Sequence, residues 1–399
     1  MALVEPSLPA DLIGTYYRNG PGQFEVGGEK VLHPFDADGM VSAATFNGAG
    51  SCFFRNRFVR TQGFQQERRA GKMLYPGQFG NPKPFWAGGG TAKNVANTNV
   101  IYWGGRLMAL WEGGQPHKLD PLSLGTAGAT DLADVVPKGK SMTAHPRYDA
   151  NTGRLVAYGY TPNPLTGTAL RIFEFDPSFR LKGTVSEYKV PGVFGLFHDC
   201  AVTRNYIVFT ASPQSLGDLK RAGLDFLLGR RALAESIEFD KTKPATFLVF
   251  RRDGADGGTP RVIPADCHFN FHYANAFEDP ATGRLVLDSV RADELQLGDM
   301  AAGRAGGVPV WETVDFAGEV PPSRLWRYTL DVERGECVSA KCLSPRHLDF
   351  PVVNPVASCK EHTFVWANCG ASEATAAPPQ GIIRVDCSGE MPDQVDPRE

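Results

Sequence analysis

Two stretches of this 399-residue chain are near copies of each other. Residues 149–156 read DANTGRLV and residues 279–286 read DPATGRLV. Each turns at an aspartate followed by Thr-Gly and then runs into an apolar strand, which is the grammar of a β-hairpin. The same strand-turn-strand texture recurs in NTNVIYWGGRLMALWEGG (97–114), ALRIFEFDPSFRLKGTVSEYKV (169–190), ATFLVFRRDG (245–254) and RLWRYTLDVERGECVSA (324–340). Short strands separated by frequent turns point to an all-β sandwich, barrel or propeller. At this length, with units recurring over tens of residues, a propeller fits best, and the 44 glycines and 30 prolines supply its turns.

Residues 215–239, SLGDLKRAGLDFLLGRRALAESIEF, break this texture. Leu216, Leu219, Leu224, Phe226, Leu227 and Leu228 alternate with Lys220, Arg221, Arg230 and Arg231 in a helical pattern, which Gly223 and Gly229 weaken. Two readings stand. It is a surface helix packed on the sheets, or a basic, apolar-tipped cap that dips into a lipid interface.

Composition narrows the function classes. A net charge of −3 leaves no electrostatic footprint for nucleic acid. No apolar run approaches the roughly 18 residues of a membrane span. The opening MALVEPSLPADLIG has neither secretory nor transit character. Eight cysteines without a CxxC pair read as reduced, mostly buried thiols in a cytoplasmic setting.

The informative residues are histidines. Residues 195–210, GLFHDCAVTRNYIVFT, set His198 and Asp199 inside an apolar, β-prone stretch. One such histidine alone is most simply a core residue bonded to a backbone carbonyl. His145 in TAHPRYD and His272 in NFHYANAFED, however, share its setting, each at or beside a strand with an apolar or small residue before it. The three are too far apart in sequence for a local zinc-finger motif but suit delivery from separate blades to one axis. Converging imidazoles would hold a divalent transition metal, with Fe, Zn and Cu all open. His33 matches no ligand pattern, and His117, His268, His347 and His362 lie in polar turns or near strand ends, where surface or backbone-bonded roles dominate.

The order GTYYRNGP, HPFDADGM, NTNVIYWGGRLMALWEGGQPHKLD, TAHPRYD, FHDCAVTRNYIVF, FHYANAFED and LDFPVVNP resembles the motif order of the carotenoid cleavage oxygenase family, from about residue 8 to about residue 385. The resemblance implies a single propeller domain over residues 1–399 with seven blades, a helical and loop cap on one face, and an incomplete last blade. It places residues 215–239 in that cap, near the substrate entrance. It also implies a non-haem Fe(II) cofactor, with His145, His198 and His272 as metal ligands and Glu112 and Asp349 as carboxylates behind them. A carboxylate on the far ring nitrogen fixes the tautomer and ring angle of a ligating imidazole. Relatives carry glutamate at the second of these positions. The shorter Asp349 is therefore expected to reach its imidazole at longer range or through water.

Family members continue to a further glutamate and a His-Gly motif that supplies a fourth ligand. Here the sequence ends at GIIRVDCSGEMPDQVDPRE, which reads as a fragment or a shortened paralogue. The implied activity is cleavage of one C=C bond of a carotenoid or apocarotenoid by dioxygen, with peripheral contact to the membrane that holds the substrate. Two alternatives remain. Stilbene-cleaving members carry a lysine directly before the first carboxylate, where this chain has Trp111. A non-catalytic propeller that binds an apolar ligand is the other.

Overall fold

The computed structural model describes residues 8–88, 92–295, 307–315, 319–372 and 378–388. Nearly all regular structure is antiparallel β. The first sheet holds Ile13–Gln23, Asp38–Asn47 and Cys52–Phe58. The second holds Asn99–Trp103, Arg106–Leu110, His117–Leu119 and Thr126–Ala129. The third is Arg147–Asp149, Arg154–Thr161, Thr168–Phe175 and Leu181–Val190. The fourth is Ala201–Val202, Tyr206–Ala211, Ala245–Arg251 and Arg261–Ala265. The fifth is Phe269–Glu278, Leu285–Ala292, Ser323–Asp331 and Glu336–Cys342, and the sixth Asp349–Val352, Phe364–Cys369 and Gly381–Asp386.

The core lies between consecutive sheets. In the fourth sheet, Ile207, Phe209, Leu248 and Phe250 pack toward the third, joining Val156, Tyr158 and Leu170. Their neighbours Val208, Phe247 and Val249 point the other way, to Tyr273, Leu287 and Tyr328 of the fifth. Both faces of an inner blade are buried, so its strands read as continuous apolar runs rather than as alternation. The opening strands of the third to sixth sheets touch in sequence around the axis. This is a propeller.

It has six blades among the described residues, not the seven the resemblance implied. Two further strand pairs remain two-stranded ribbons. Glu25–Val26 pairs with Glu29–Lys30 inside the first blade, and Gln214–Leu216 pairs with Ile237–Phe239 inside the fourth. Pairs of two or three residues expose too little apolar face to found a sheet of their own. Among the described residues the sixth sheet has three strands, as the first does.

The near-repeat is a real structural unit. Asp149 accepts the Asn151 N–H and the Thr152 hydroxyl, and its carbonyl accepts the Gly153 N–H. Asp279 accepts the equivalent groups of Ala281 and Thr282, and its carbonyl the Gly283 N–H. Gly153 and Gly283 have φ of 67° and 69°, which a residue with a Cβ adopts only at a cost. Each turn joins the first two strands of its blade, in the third and the fifth.

Within 215–239, the helix Leu219–Leu227 is capped by the Asp218 carboxylate, which accepts the N–H groups of Lys220 and Arg221. The chain leaves the helix at Gly229, whose backbone packs so closely on Lys83 and Pro84 that a Cβ there would lie 2.3 Å from the Pro84 nitrogen. The N–H of Ala234 then bonds the Gln78 carbonyl. Among the described residues, no helix is long and apolar enough to cross a membrane. All eight cysteines are free thiols, five of them buried.

Candidate metal centre

His145 lies just before the first strand of the third blade, His198 just before that of the fourth, and His272 within that of the fifth. These are the strands nearest the axis, and they bring the three rings together. Ring centroids are 4.5 Å apart for His145 and His198, and 5.1 Å for each of the other two pairs. One nitrogen from each ring falls within 4.8 Å of the others.

Two carboxylates stand behind this cluster. Glu112, just beyond Arg106–Leu110 of the second blade, places Oε2 2.7 Å from His198 Nδ1. Asp349, which opens the sixth blade, places Oδ1 2.7 Å from His272 Nδ1. An ionised carboxylate only accepts, so each Nδ1 donates, and each Nε2 offers a lone pair whenever its ring is neutral. The Asp349 contact is direct and short, contrary to the longer or water-bridged one expected. The backbone makes up the missing methylene. The register slips between Asp349 and Val352, and Phe350 takes a left-handed φ of 55°. That bulge carries the carboxylate to the ring.

The electrostatics suit a cation. Burial first, then the positive potential of His198, His272 and Arg147, drives the His145 imidazole well below its usual range. Burial also works against the His198 imidazolium, but the Glu112 carboxylate outweighs it and raises that ring. Burial would push Asp349 up, yet His272 and the Phe350 N–H hold its carboxyl low. Nε2 of His145 and Nε2 of His198 stand 2.9 Å apart. Two unprotonated nitrogens at that distance repel unless a proton or a cation lies between them. The donor set therefore fits a divalent transition metal. Phe271 and Phe350 stand against His198 and His272 at 5.5 and 4.9 Å, giving the site apolar walls.

Trp111, which precedes Glu112 in sequence, lines a small cavity with Phe35, Met73, Tyr75 and Phe79. None of these four neighbours was singled out from the sequence, because they gather there from another part of the chain.

The other histidines are mostly buried, which their polar contexts did not suggest. His268 Nδ1 donates to the Asp266 carbonyl at 2.7 Å, and His33 Nδ1 accepts the Phe35 N–H. His117 is buried in the second blade, and His347 lies 3.3 Å from Arg324 Nη2. His362 forms a second buried group with Asp288 and Cys387. That group is an ion-pair network. Asn275 spends its Oδ1 on the Cys359 N–H, so its amide nitrogen is the atom 3.0 Å from His362 Nδ1. His362 Nε2 lies 2.9 Å from Asp288 Oδ2, and Arg327 grips both oxygens of Asp288.

Residues 1–397 match the family described as RPE65, retinal pigment epithelial membrane protein. The chain is 38% identical to the apocarotenoid-15,15'-oxygenase of Synechocystis sp., over 96% of its own length and 76% of that enzyme's. It is 32% identical to resveratrol cleavage oxygenase 1 of Chaetomium globosum, over 73% of this chain and 47% of that one. A solved structure of a Glu-to-Asp mutant of the Synechocystis oxygenase superposes with a TM-score of 0.85 at 36% identity, covering 96% of this chain and 77% of that one. A cobalt-substituted form of the same enzyme superposes equally well, at 37% identity over the same shares of the two chains.

Proposed function

This chain belongs to the carotenoid cleavage oxygenase family and is an oxygenase of that family, and we propose that it is a non-haem Fe(II) dioxygenase acting on an apocarotenoid. One C=C bond and one dioxygen would give two carbonyl products, with one oxygen atom in each. The observation that carries this reading is the convergence of His145, His198 and His272, two of them backed by carboxylates on Nδ1. The three imidazoles would hold the iron, and the chemistry it supplies when bound is activation of dioxygen. Glu112 and Asp349 would orient two of the rings, and Phe271 would help keep water from the reacting bond.

An apolar polyene has no acidic proton and no polarised carbonyl at the bond cleaved, so its position along the cavity has to select the reacting bond. Trp111 and its aromatic neighbours line a small cavity of about 20 Å³ and would contribute part of that surface once it opens to a substrate. Trp111 also favours the apocarotenoid over a stilbene, because an indole brings no charge to a phenolic hydroxyl. Residues 215–239 are read as the cap of this entrance, since Ala234 bonds Gln78, which lines the same cavity. The domain is read as one propeller over residues 1–399.

Peripheral membrane contact belongs to the same proposal. Leu224 and Leu227 are exposed on the cap helix, and the backbone approach of Gly229 to Pro84 sets them near the exposed Phe85 and Trp86. Exposed Lys220, Arg221 and Arg230 surround them. Phe226 and Leu228 are half-buried, and the side chain of Leu219 lies outside the described residues.

The test is anaerobic loading with Fe(II), then a β-apocarotenal with ¹⁸O₂, with products identified by mass. Two carbonyl fragments, each carrying label, are expected. Cleavage of resveratrol with no cleavage of the apocarotenal would overturn the substrate class. Apolar-ligand binding without turnover by the iron-loaded protein would favour a binding role.

A further inference from the structure

Asp199 follows His198 directly, yet its side chain turns away from the histidine cluster and is almost fully buried. Oδ1 accepts its own neighbour's N–H, from Cys200, at 2.7 Å and Arg147 Nε at 3.1 Å. Oδ2 accepts Arg147 Nη2 and, at 2.8 Å, the Tyr273 N–H. Arg147 Nη2 also donates to the Tyr273 carbonyl at 2.7 Å. Four donors converge on two oxygens, which fills the capacity of a carboxylate.

The partners' positions give this network its meaning. Arg147 lies two residues after His145, Asp199 one after His198, and Tyr273 one after His272. Each comes from a different blade, the third, fourth and fifth. Glu112 and Asp349 each set the angle of a single ring. The Asp199–Arg147 pair instead joins the backbones that carry all three rings, and so sets the distances between them.

We infer that Asp199 and Arg147 act as one clamp that holds His145, His198 and His272 at metal-binding separation, and are positioning residues for the metal centre. The inference rests on the metal-site reading above. Charge adds a second reason for the pair. Arg147 carries a fixed positive charge two residues from His145 and would repel a metal dication held there. Asp199 cancels that charge at contact distance. An asparagine at 199 keeps the shape but replaces one acceptor with a donor. Whichever way the amide turns, its NH₂ then faces two existing donors, and Arg147 keeps an unpaired charge beside the site.

The experiment compares wild type, Asp199→Asn, Arg147→Lys and Asp149→Asn by Co(II) binding, using chelator competition for affinity and visible d–d absorption for geometry. Asp149 is the control. It forms a pair with Arg252 at 2.7 Å, more buried than the Asp199–Arg147 pair, joining the third and fourth blades. We expect Asp199→Asn to bind Co(II) about 10- to 100-fold more weakly with shifted d–d bands, as for other groups that orient ligands. Arg147→Lys should keep the charge, lose the two-point grip and fall between wild type and Asp199→Asn. Asp149→Asn should melt earlier with unchanged affinity and spectrum. Wild-type affinity and spectrum in Asp199→Asn would overturn the clamp. If that variant does not fold, the same result in Arg147→Lys overturns it. A wild-type protein whose Co(II) affinity is unchanged by His198→Ala would instead refute the metal reading, and the clamp would fall with it.

Discussion

Lengthening Asp349 to glutamate tests how the sixth blade meets the metal centre. From length alone, Asp349→Glu would restore reach and tighten metal binding. The structure reverses that sign. Asp349 Oδ1 is already 2.7 Å from His272 Nδ1, because the bulge at Phe350 advances the backbone. One more methylene adds about 1.5 Å of bond length, about half the existing hydrogen-bond distance. His272 has little room to retreat, since it is buried and has the His145 and His198 rings 5.1 Å away. Inserting a methylene into a packed site costs about 1–3 kcal/mol. Asp349 retains 24% exposure, which allows some relief and puts the cost near the lower end. About 1.4 kcal/mol corresponds to a tenfold loss. We expect Asp349→Glu to weaken Co(II) binding by up to about tenfold in chelator competition and to lower the thermal midpoint by a few degrees. Tighter binding than wild type would show that the Asp349 contact is strained, and would refute the argument from the bulge.

Glu112→Gln keeps an acceptor for His198 Nδ1 but removes the charge, so metal affinity should fall by about tenfold, and Glu112→Ala should lose more; equal loss in both would mean that charge alone matters. Burial lowers the His268 imidazole to about 4. A neutral buried histidine takes up a proton more readily when unfolded, so stability should be full above pH 6.5 and decline toward pH 4, by up to about 3 kcal/mol from this residue. Urea titrations across that range should show a shallower decline for His268→Gln, and an unchanged slope would rule the residue out. Replacing Leu224 and Leu227 together by aspartate should abolish sedimentation with anionic vesicles while leaving Co(II) affinity intact. Undiminished sedimentation would remove the cap helix from the membrane contact.

What the sequence determined by itself was local chemistry. Asp149 and Asp279 each close a hairpin through bonds reaching only two to four residues along the chain, so DANTGRLV and DPATGRLV announce their turns wherever they occur. Runs such as Tyr206–Ala211 announce strands buried on both faces, and the shared settings of His145, His198 and His272 are visible because each lies beside a blade's opening strand. Tertiary structure decided whatever depends on contacts across the chain. Among the described residues the blades number six because strand pairs at residues 25–30 and at 214–216 with 237–239 stay ribbons, and no local pattern says whether a short pair will recruit further strands. Asp349 meets His272 directly because a bulge offsets a side-chain length that composition alone counts as a deficit. His362 is buried because Asp288, Arg327 and Asn275 enclose it, and Asp199 joins three blades because Arg147 and Tyr273 arrive from the other two. The range of the deciding interaction separates the two sets. Hydrogen bonds within a turn are written in adjacent residues, whereas separations between blades are set only when packed sheets bring distant backbones together.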